Sequence, residues 1–101
     1  MVIYEVNLEI KPAAFEAYYQ WLVPHIEEML TYPGFDKAFV QRDKESANKL
    51  TVYYQVNTYP DLENYLTHHA QIMRDEGLEK FAGQFKANRR IFEVTHAFSK
   101  K

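Results

Sequence analysis

Hydrophobic and polar residues alternate along three stretches of the chain, and this alternation predicts β-strands. Val2–Ile10 has an apolar or aromatic side chain at every second position, Leu50–Asn57 repeats the pattern, and Ile91–Phe98 alternates again. A period of two is the signature of a strand with one face against a core and one mixed face. Phe35–Arg42 indicates a further strand, which the polar loop Asp43–Asn48 joins to the next one as a hairpin.

Two other segments carry the three-and-four spacing of apolar residues that is typical of amphipathic helices. The first runs from Pro12 to the stop signal at 32–34, and we expect Pro24 to kink or break it. The second begins after Thr58, a predicted N-cap, and we expect Gly77 to end or bend it. The buried stripe predicted for this helix comprises Leu62, Tyr65, Leu66, His69, Ile72 and Met73, and Leu78, Phe81 and Phe85 predict a short further helix.

The order of these elements, β-α-β-β-α-β, is the ferredoxin-like α+β pattern. It predicts one domain spanning residues 1–101, with an antiparallel four-stranded sheet, the first and third strands in its centre and both helices on one face. The other face is bare and partly apolar, which favours a homodimer through this open sheet face. On the last strand, the pattern predicts that Phe92, Val94 and Phe98 face the helices and that Ile91, Glu93 and Thr95 face the open side.

Composition and charge narrow the range of partners. Twelve basic and fourteen acidic residues give a net charge of -2, which argues against a nucleic-acid partner because such proteins carry a concentrated positive face. No apolar run approaches the roughly 20 residues that span a bilayer, and no signal peptide is recognisable. We therefore expect a soluble cytoplasmic protein with no membrane partner.

Several short stretches carry a family resemblance. They are Ile3-Tyr4-Glu5-Val6-Asn7, His25-Ile26-Glu27-Glu28-Met29-Leu30, Pro33-Gly34-Phe35, Tyr65-Leu66, His69-Ala70, Glu76-Gly77-Leu78 with Phe81, and Asn88-Arg89-Arg90-Ile91. In these stretches the chain resembles the dimeric α+β barrel superfamily, and within it a small bacterial family of unknown function. The resemblance implies two ferredoxin-like subunits packed sheet against sheet. It implies no catalytic residue, because the small family has no established activity. The superfamily includes monooxygenases, haem-degrading enzymes, isomerases, lyases and members without known chemistry, so the fold does not decide among these activities.

Glu5 and Glu93 are the first candidates for chemistry. The expected strand order places them on neighbouring strands of the open face, with Asn7, Tyr53 and Gln55 nearby. Two carboxylates held close in a partly dry cleft raise the pKa of one of them, which can then serve as an acid or a base. The alternative, which we favour, is that they hydrogen-bond across a polar dimer interface or lie at its solvated rim.

His69 and a basic cluster are the next candidates. His69 falls on the buried stripe, and the resemblance makes it a candidate haem ligand, because haem-binding superfamily members ligate iron through a histidine on the second helix. A hydrogen-bonded core histidine is the alternative. Arg89 and Arg90, with Lys86, precede the last strand and either hold an anionic ligand or pair with acidic helices on the surface.

Three functions therefore stay open. The protein binds or converts a small organic ligand between sheet and helices, by cofactor-independent proton transfer or oxygenation, or it is a non-catalytic dimeric interaction module, or it binds haem through His69. In the first case we expect catalytic roles for Glu5, His69 and Tyr53, and ligand contacts from Asn7, Gln55, Glu93, Arg89 and Arg90. The chain has no Cys, no glycine-rich phosphate loop and no zinc-type spacing, so we expect neither a metal nor a cofactor. Its many aromatic residues can line a pocket for a flat ligand, or fill the core and the dimer contact.

Overall fold

A computed structural model describes all 101 residues and confirms the ferredoxin-like α+β fold. The elements in chain order are β1 (Val2–Ile10), a short 3-10 turn (Pro12–Ala14), α1 (Phe15–Met29), β2 (Phe35–Arg42), β3 (Lys49–Val56), α2 (Tyr59–His68), α3 (Ala70–Phe81) and β4 (Phe85–Glu93). The strands form one antiparallel sheet in the order β2-β3-β1-β4, so the first and third strands are central, as predicted. The helices cover one face of this sheet, and none of them is long and apolar enough to cross a membrane.

The alternation along β1 and β3 sorts their side chains between the two faces as predicted. Tyr4 lies opposite Tyr54 under the helices, whereas Glu5 lies opposite Tyr53 on the open face. The buried apolar residues of these strands are Val2, Tyr4, Leu8, Ile10, Leu50, Val52, Tyr54 and Val56. Each large apolar side chain that is removed from water contributes about 1.5–3 kcal/mol, so this pair of strands forms the base of the core.

The first helix is continuous through Pro24, so the break predicted there as one alternative does not occur. Pro24 lies on the exposed side of α1, where the carbonyl that loses its helical partner can bind water instead. The opposite side carries the predicted stripe, buried at Tyr18, Leu22, Ile26 and Met29.

The second helical segment is divided at His69, and the prediction that Gly77 ends it is wrong. The Thr58 cap is confirmed, since its Oγ1 accepts a hydrogen bond from the Asp61 N–H at 3.2 Å. His69 has a non-helical φ of -127°, which ends α2 and starts α3 in a new phase. As a result Ile72, predicted to be buried, is 63% exposed. The buried positions of α3 are Ala70, Met73, Gly77 and Phe81.

The last strand begins at Phe85 rather than Ile91, so the short helix predicted to include Phe85 ends earlier. Its register places Arg90 opposite Glu5 and Ile91 opposite Tyr4. Directly opposed residues share a face, so Ile91 lies on the helix side and Phe92 on the open side, the reverse of the prediction. The prediction was wrong because Arg89 occupies a helix-facing position and hides the alternation that begins at Phe85.

Candidate functional site

A cavity lies between the helices and the sheet, with walls contributed by β1, β3, β4, α1, α2 and α3. Twelve of its sixteen lining residues are hydrophobic, which is typical of a small-molecule site. It offers about 50 Å³ to the centres of water-sized molecules, enough for a few waters. The depression around it measures about 520 Å³ when its open mouth is included.

Aromatic rings form much of the wall. Tyr18 contacts Trp21 with 5.5 Å between ring centroids and Phe85 with 5.0 Å. Trp21 also stacks on His25 at 4.6 Å, because residues four apart lie on one side of a helix. The rings therefore present flat apolar surfaces to the cavity.

Gly77 determines how closely α3 approaches this wall. A Cβ atom at Gly77 would lie 3.1 Å from Cη2 of Trp21, which is tighter than ordinary van der Waals contact. The glycine therefore lets the backbone of α3 lie directly against the indole ring. Trp21 is held between α3 and the His25 ring, at the edge of the cavity.

Two arginines bring positive charge to the cavity. Arg74, on α3, donates a hydrogen bond from Nη2 to the Tyr4 hydroxyl at 3.1 Å, while its buried Nε has no hydrogen-bond partner. Arg89, on β4, lies opposite Val6 on the helix-facing side of the sheet. No Asp or Glu lines the cavity, and neither arginine forms an ion pair. The cavity therefore carries uncompensated positive charge.

His25 contributes a second buried polar atom without a partner. Its Nδ1 is buried and unpaired, and the nearest carboxylate oxygen, Oε2 of Glu76, lies 3.9 Å away, too far for a hydrogen bond. Burial lowers the pKa of His25 to about 4, and the charge of Arg89 acts in the same direction. His25 is therefore neutral at pH 7, and the contact with Glu76 is not an ion pair at that pH.

Three tyrosines of the wall, Tyr18, Tyr54 and Tyr65, stay protonated. Burial raises the pKa of Tyr18 to about 12, although the charge of Arg89 acts against this. Burial likewise raises the pKa of Tyr54 and of Tyr65. None of these three tyrosines therefore supplies a phenolate to neutralise the two arginines at neutral pH.

On the other side of the sheet, Glu5 forms an ion pair with Arg90. The Arg90 side chain donates from Nε to Oε2 at 2.6 Å and from Nη2 to Oε1 at 3.2 Å, and only 4% of the Glu5 side chain is exposed. The hydrogen bonds from Arg90 lower the pKa of Glu5, with further lowering from Asn7 and Tyr53, while burial acts in the opposite sense. Glu5 is therefore a fixed carboxylate in a two-pronged ion pair.

The expected pairing of Glu5 with Glu93 is wrong, because Glu93 lies opposite Val2 at the end of β4 and faces the helices. Asn7 instead accepts a hydrogen bond from the Thr51 hydroxyl at 2.8 Å and donates one to Asn88 at 3.1 Å. The predicted residues Glu5, Asn7, Tyr53, Gln55 and Arg90 all share the open face, and none of them lines the cavity.

His69 lies at the junction of α2 and α3, half-buried, with its ring 4.6 Å from that of Tyr32. It does not line the cavity. Of all the site residues predicted from the sequence, only Arg89 does so.

The sequence prediction missed Trp21, His25 and Arg74. One signal was available, since the four-residue spacing of Trp21 and His25 places them on one face of α1, beside its buried stripe. Arg74 could not be placed in the same way, because its direction depends on the new helical phase that begins after His69.

The comparisons with known proteins agree with this fold. A family model described as a domain of unknown function, DUF4286, matches residues 1–95. No curated protein matches the chain.

Among solved structures, a candidate antibiotic biosynthesis monooxygenase from Deinococcus radiodurans is 15% identical, with a TM-score of 0.78 over 100% of this chain and 99% of that one. SnoaB, a cofactor-independent oxygenase from Streptomyces nogalater, is 13% identical, with a TM-score of 0.68 over 98% and 97% of the two chains. The heme-degrader MhuD from Mycobacterium tuberculosis, with two hemes bound in its active site, is 13% identical, with a TM-score of 0.71 over 98% and 100%. At these identities the likeness shows the fold alone, which is that of the superfamily the sequence resembles.

Proposed function

The chain belongs to the DUF4286 family, and we propose that it is a cytoplasmic homodimer in which each subunit binds a small organic molecule between sheet and helices. The observation that carries this proposal is the cavity itself, with two buried polar atoms, Nε of Arg74 and Nδ1 of His25, left without partners. An unsatisfied buried donor or acceptor costs about 1–3 kcal/mol. A ligand that met these atoms would recover part of that free energy.

The same two atoms argue against a packing fault and against a purely structural interaction module. An interaction module needs only a filled core, and a chance void in such a core is lined by apolar groups. Here an aromatic wall is combined with a few polar groups at defined positions, the usual composition of a ligand site.

Binding is favoured over proton abstraction. Oxygenases and a heme-degrader share the fold, and His25 is the one cavity residue that could accept a proton near neutral pH. Its pKa, lowered by burial to about 4, makes it a weak base at pH 7. His69, the residue expected to ligate haem, lies outside the cavity.

The open face supports the homodimer. Phe39 is 50% exposed and Phe92 is 42% exposed, and both lie on this face, on the outer strands β2 and β4. Between them the charges of Glu5 and Arg90 are already paired within one chain. A second copy that covers the centre of the face therefore buries this pair rather than an isolated charge, and burying an isolated charge is the costly event in such interfaces.

The binding proposal is tested with a thermal-shift screen of small neutral and charged organic molecules. We expect Val6→Phe to fill the cavity, which Val6 lines, whereas Val23→Phe makes the same change at an exposed position of α1. Binders should raise the Tm of the wild type and of Val23→Phe, and leave that of a folded Val6→Phe protein unchanged. A screen without binders, or binders that stabilise Val6→Phe equally, would overturn the proposal.

A further inference from the structure

The charged side chains that line the cavity are all positive. Arg74 and Arg89 both line it, no carboxylate does, and burial keeps Tyr18, Tyr54 and Tyr65 in their neutral forms. The other arginine of β4, Arg90, is paired with Glu5 on the far side of the sheet. Two cations therefore share one space whose lining holds no carboxylate, although Oε2 of Glu76 lies 3.9 Å from Nδ1 of His25.

The polar atoms of the cavity that lack partners can donate hydrogen bonds, as an anionic ligand requires. Guanidinium N–H groups can only donate, and the unpartnered Nε of Arg74 is such a donor. Neutral His25 adds a ring nitrogen that donates in one of its two tautomers. A guanidinium presents planar, directed donors, which match the planar oxygens of a carboxylate.

From this arrangement we propose that the cavity selects an aromatic carboxylate, whose anionic head is bound by Arg74 and Arg89. The inference rests on the proposed function and adds the chemical class of the ligand. The space of about 50 Å³ that the cavity offers to the centres of water-sized molecules accommodates a headgroup of a few heavy atoms. The aromatic ring of the ligand lies in the wider depression, among the aromatic side chains that form its wall.

The chain supplies its own reporter, because Trp21 is its single tryptophan and lines the cavity. The probes are phenylacetate and 3-phenylpropanoate, each compared with its neutral amide of nearly the same shape. We expect Trp21 fluorescence to report binding of each acid at least about tenfold tighter than its amide, since charge-assisted hydrogen bonds are roughly twice as strong as neutral ones.

Arginine variants test which side chains cause the preference for the acid over the amide. Arg74→Gln and Arg89→Gln should each reduce the preference for the acid, whereas Arg42→Gln should leave it unchanged, because Arg42 stacks on Phe15 outside the cavity. Arg74→Lys keeps the charge and serves as the second variant if Arg74→Gln does not fold. It should retain a preference for the acid that is weaker than that of the wild type.

The outcomes separate this inference from the proposed function. Equal binding of acid and amide, or a preference that survives in both Arg74→Gln and Arg89→Gln, would overturn the carboxylate assignment and leave the cavity as a binding site. Failure of both acids to bind, while neutral compounds still raise the Tm, would also overturn it. Failure of every compound in the thermal-shift screen would remove the proposed function itself.

Discussion

The buried histidine makes the stability of this protein depend on pH in a defined window. The unperturbed pKa of histidine is 6.5, and burial lowers that of His25 to about 4 in the folded chain. Between these values the unfolded chain binds a proton that the folded chain does not. The stability contributed by a neutral His25 is therefore complete above about pH 6.5 and is lost as the pH falls toward 4.

The size of the loss follows from the two pKa values. A change from 6.5 to about 4 corresponds to at most roughly 3 kcal/mol, at about 1.4 kcal/mol for each pH unit. Because 14% of the His25 side chain is still exposed to solvent, we expect about 2 kcal/mol. That is a large share of the roughly 5–15 kcal/mol that stabilises a typical domain.

His25→Phe isolates this effect. Phenylalanine keeps a ring against Trp21 and cannot titrate, while acidic groups such as Glu5 titrate equally in both proteins and cancel in the difference. The assay is urea unfolding at fixed protein concentration between pH 7 and pH 4, with exposed His68 changed to Phe as the matched control. The free energy of unfolding of the wild type and of His68→Phe should fall relative to that of His25→Phe by about 2 kcal/mol. Parallel curves for the wild type and His25→Phe would refute the reasoning.

Two further predictions concern the assembly and a helix end. Phe39→Asp places a charge on the apolar part of the open face and should convert the proposed dimer to a monomer in light scattering, whereas Ile72→Asp on the helix layer should not. A dimer that survives Phe39→Asp would show that this face is not the contact. Thr58→Ala removes the hydrogen bond to the Asp61 N–H and should lower the free energy of unfolding by about 1 kcal/mol in urea titrations. An unchanged midpoint would show that the cap does not stabilise α2.

Local patterns in the sequence were sufficient to predict most of the fold. The alternation in β1 and β3 is regular, so each apolar side chain could be assigned to its face before any pairing was known. The spacing of the buried apolar residues of α1 was equally regular. Pro24 did not interrupt the helix because it lies on the solvent-exposed side. The spacing of residues that are close in sequence determines these elements, so they could be predicted from the sequence alone.

The predictions failed where contacts between residues distant in sequence determine the structure. Arg89 faces the helices although it is charged, because it reaches a cavity that only the assembled fold creates, and its presence hid the true start of β4. The spacing on either side of His69 suited one helix, so the break and the new phase of α3 were not visible. Two predictions about the site failed for this reason. Glu5 pairs with Arg90 instead of Glu93, and the direction of the Arg74 side chain could not be predicted.

The most direct test of the ligand site uses the indole N–H of Trp21, which gives a single tryptophan indole resonance in a ¹⁵N-labelled sample because the chain has one tryptophan. The sample is titrated with phenylacetate and followed by ¹H–¹⁵N correlation spectra. Binding in the cavity predicts a saturable shift of this resonance, together with the backbone amide of Gly77, which lies against the indole ring. Shifts confined to open-face residues such as Asn7 and Gln55, or no saturable shift at all, would contradict the account.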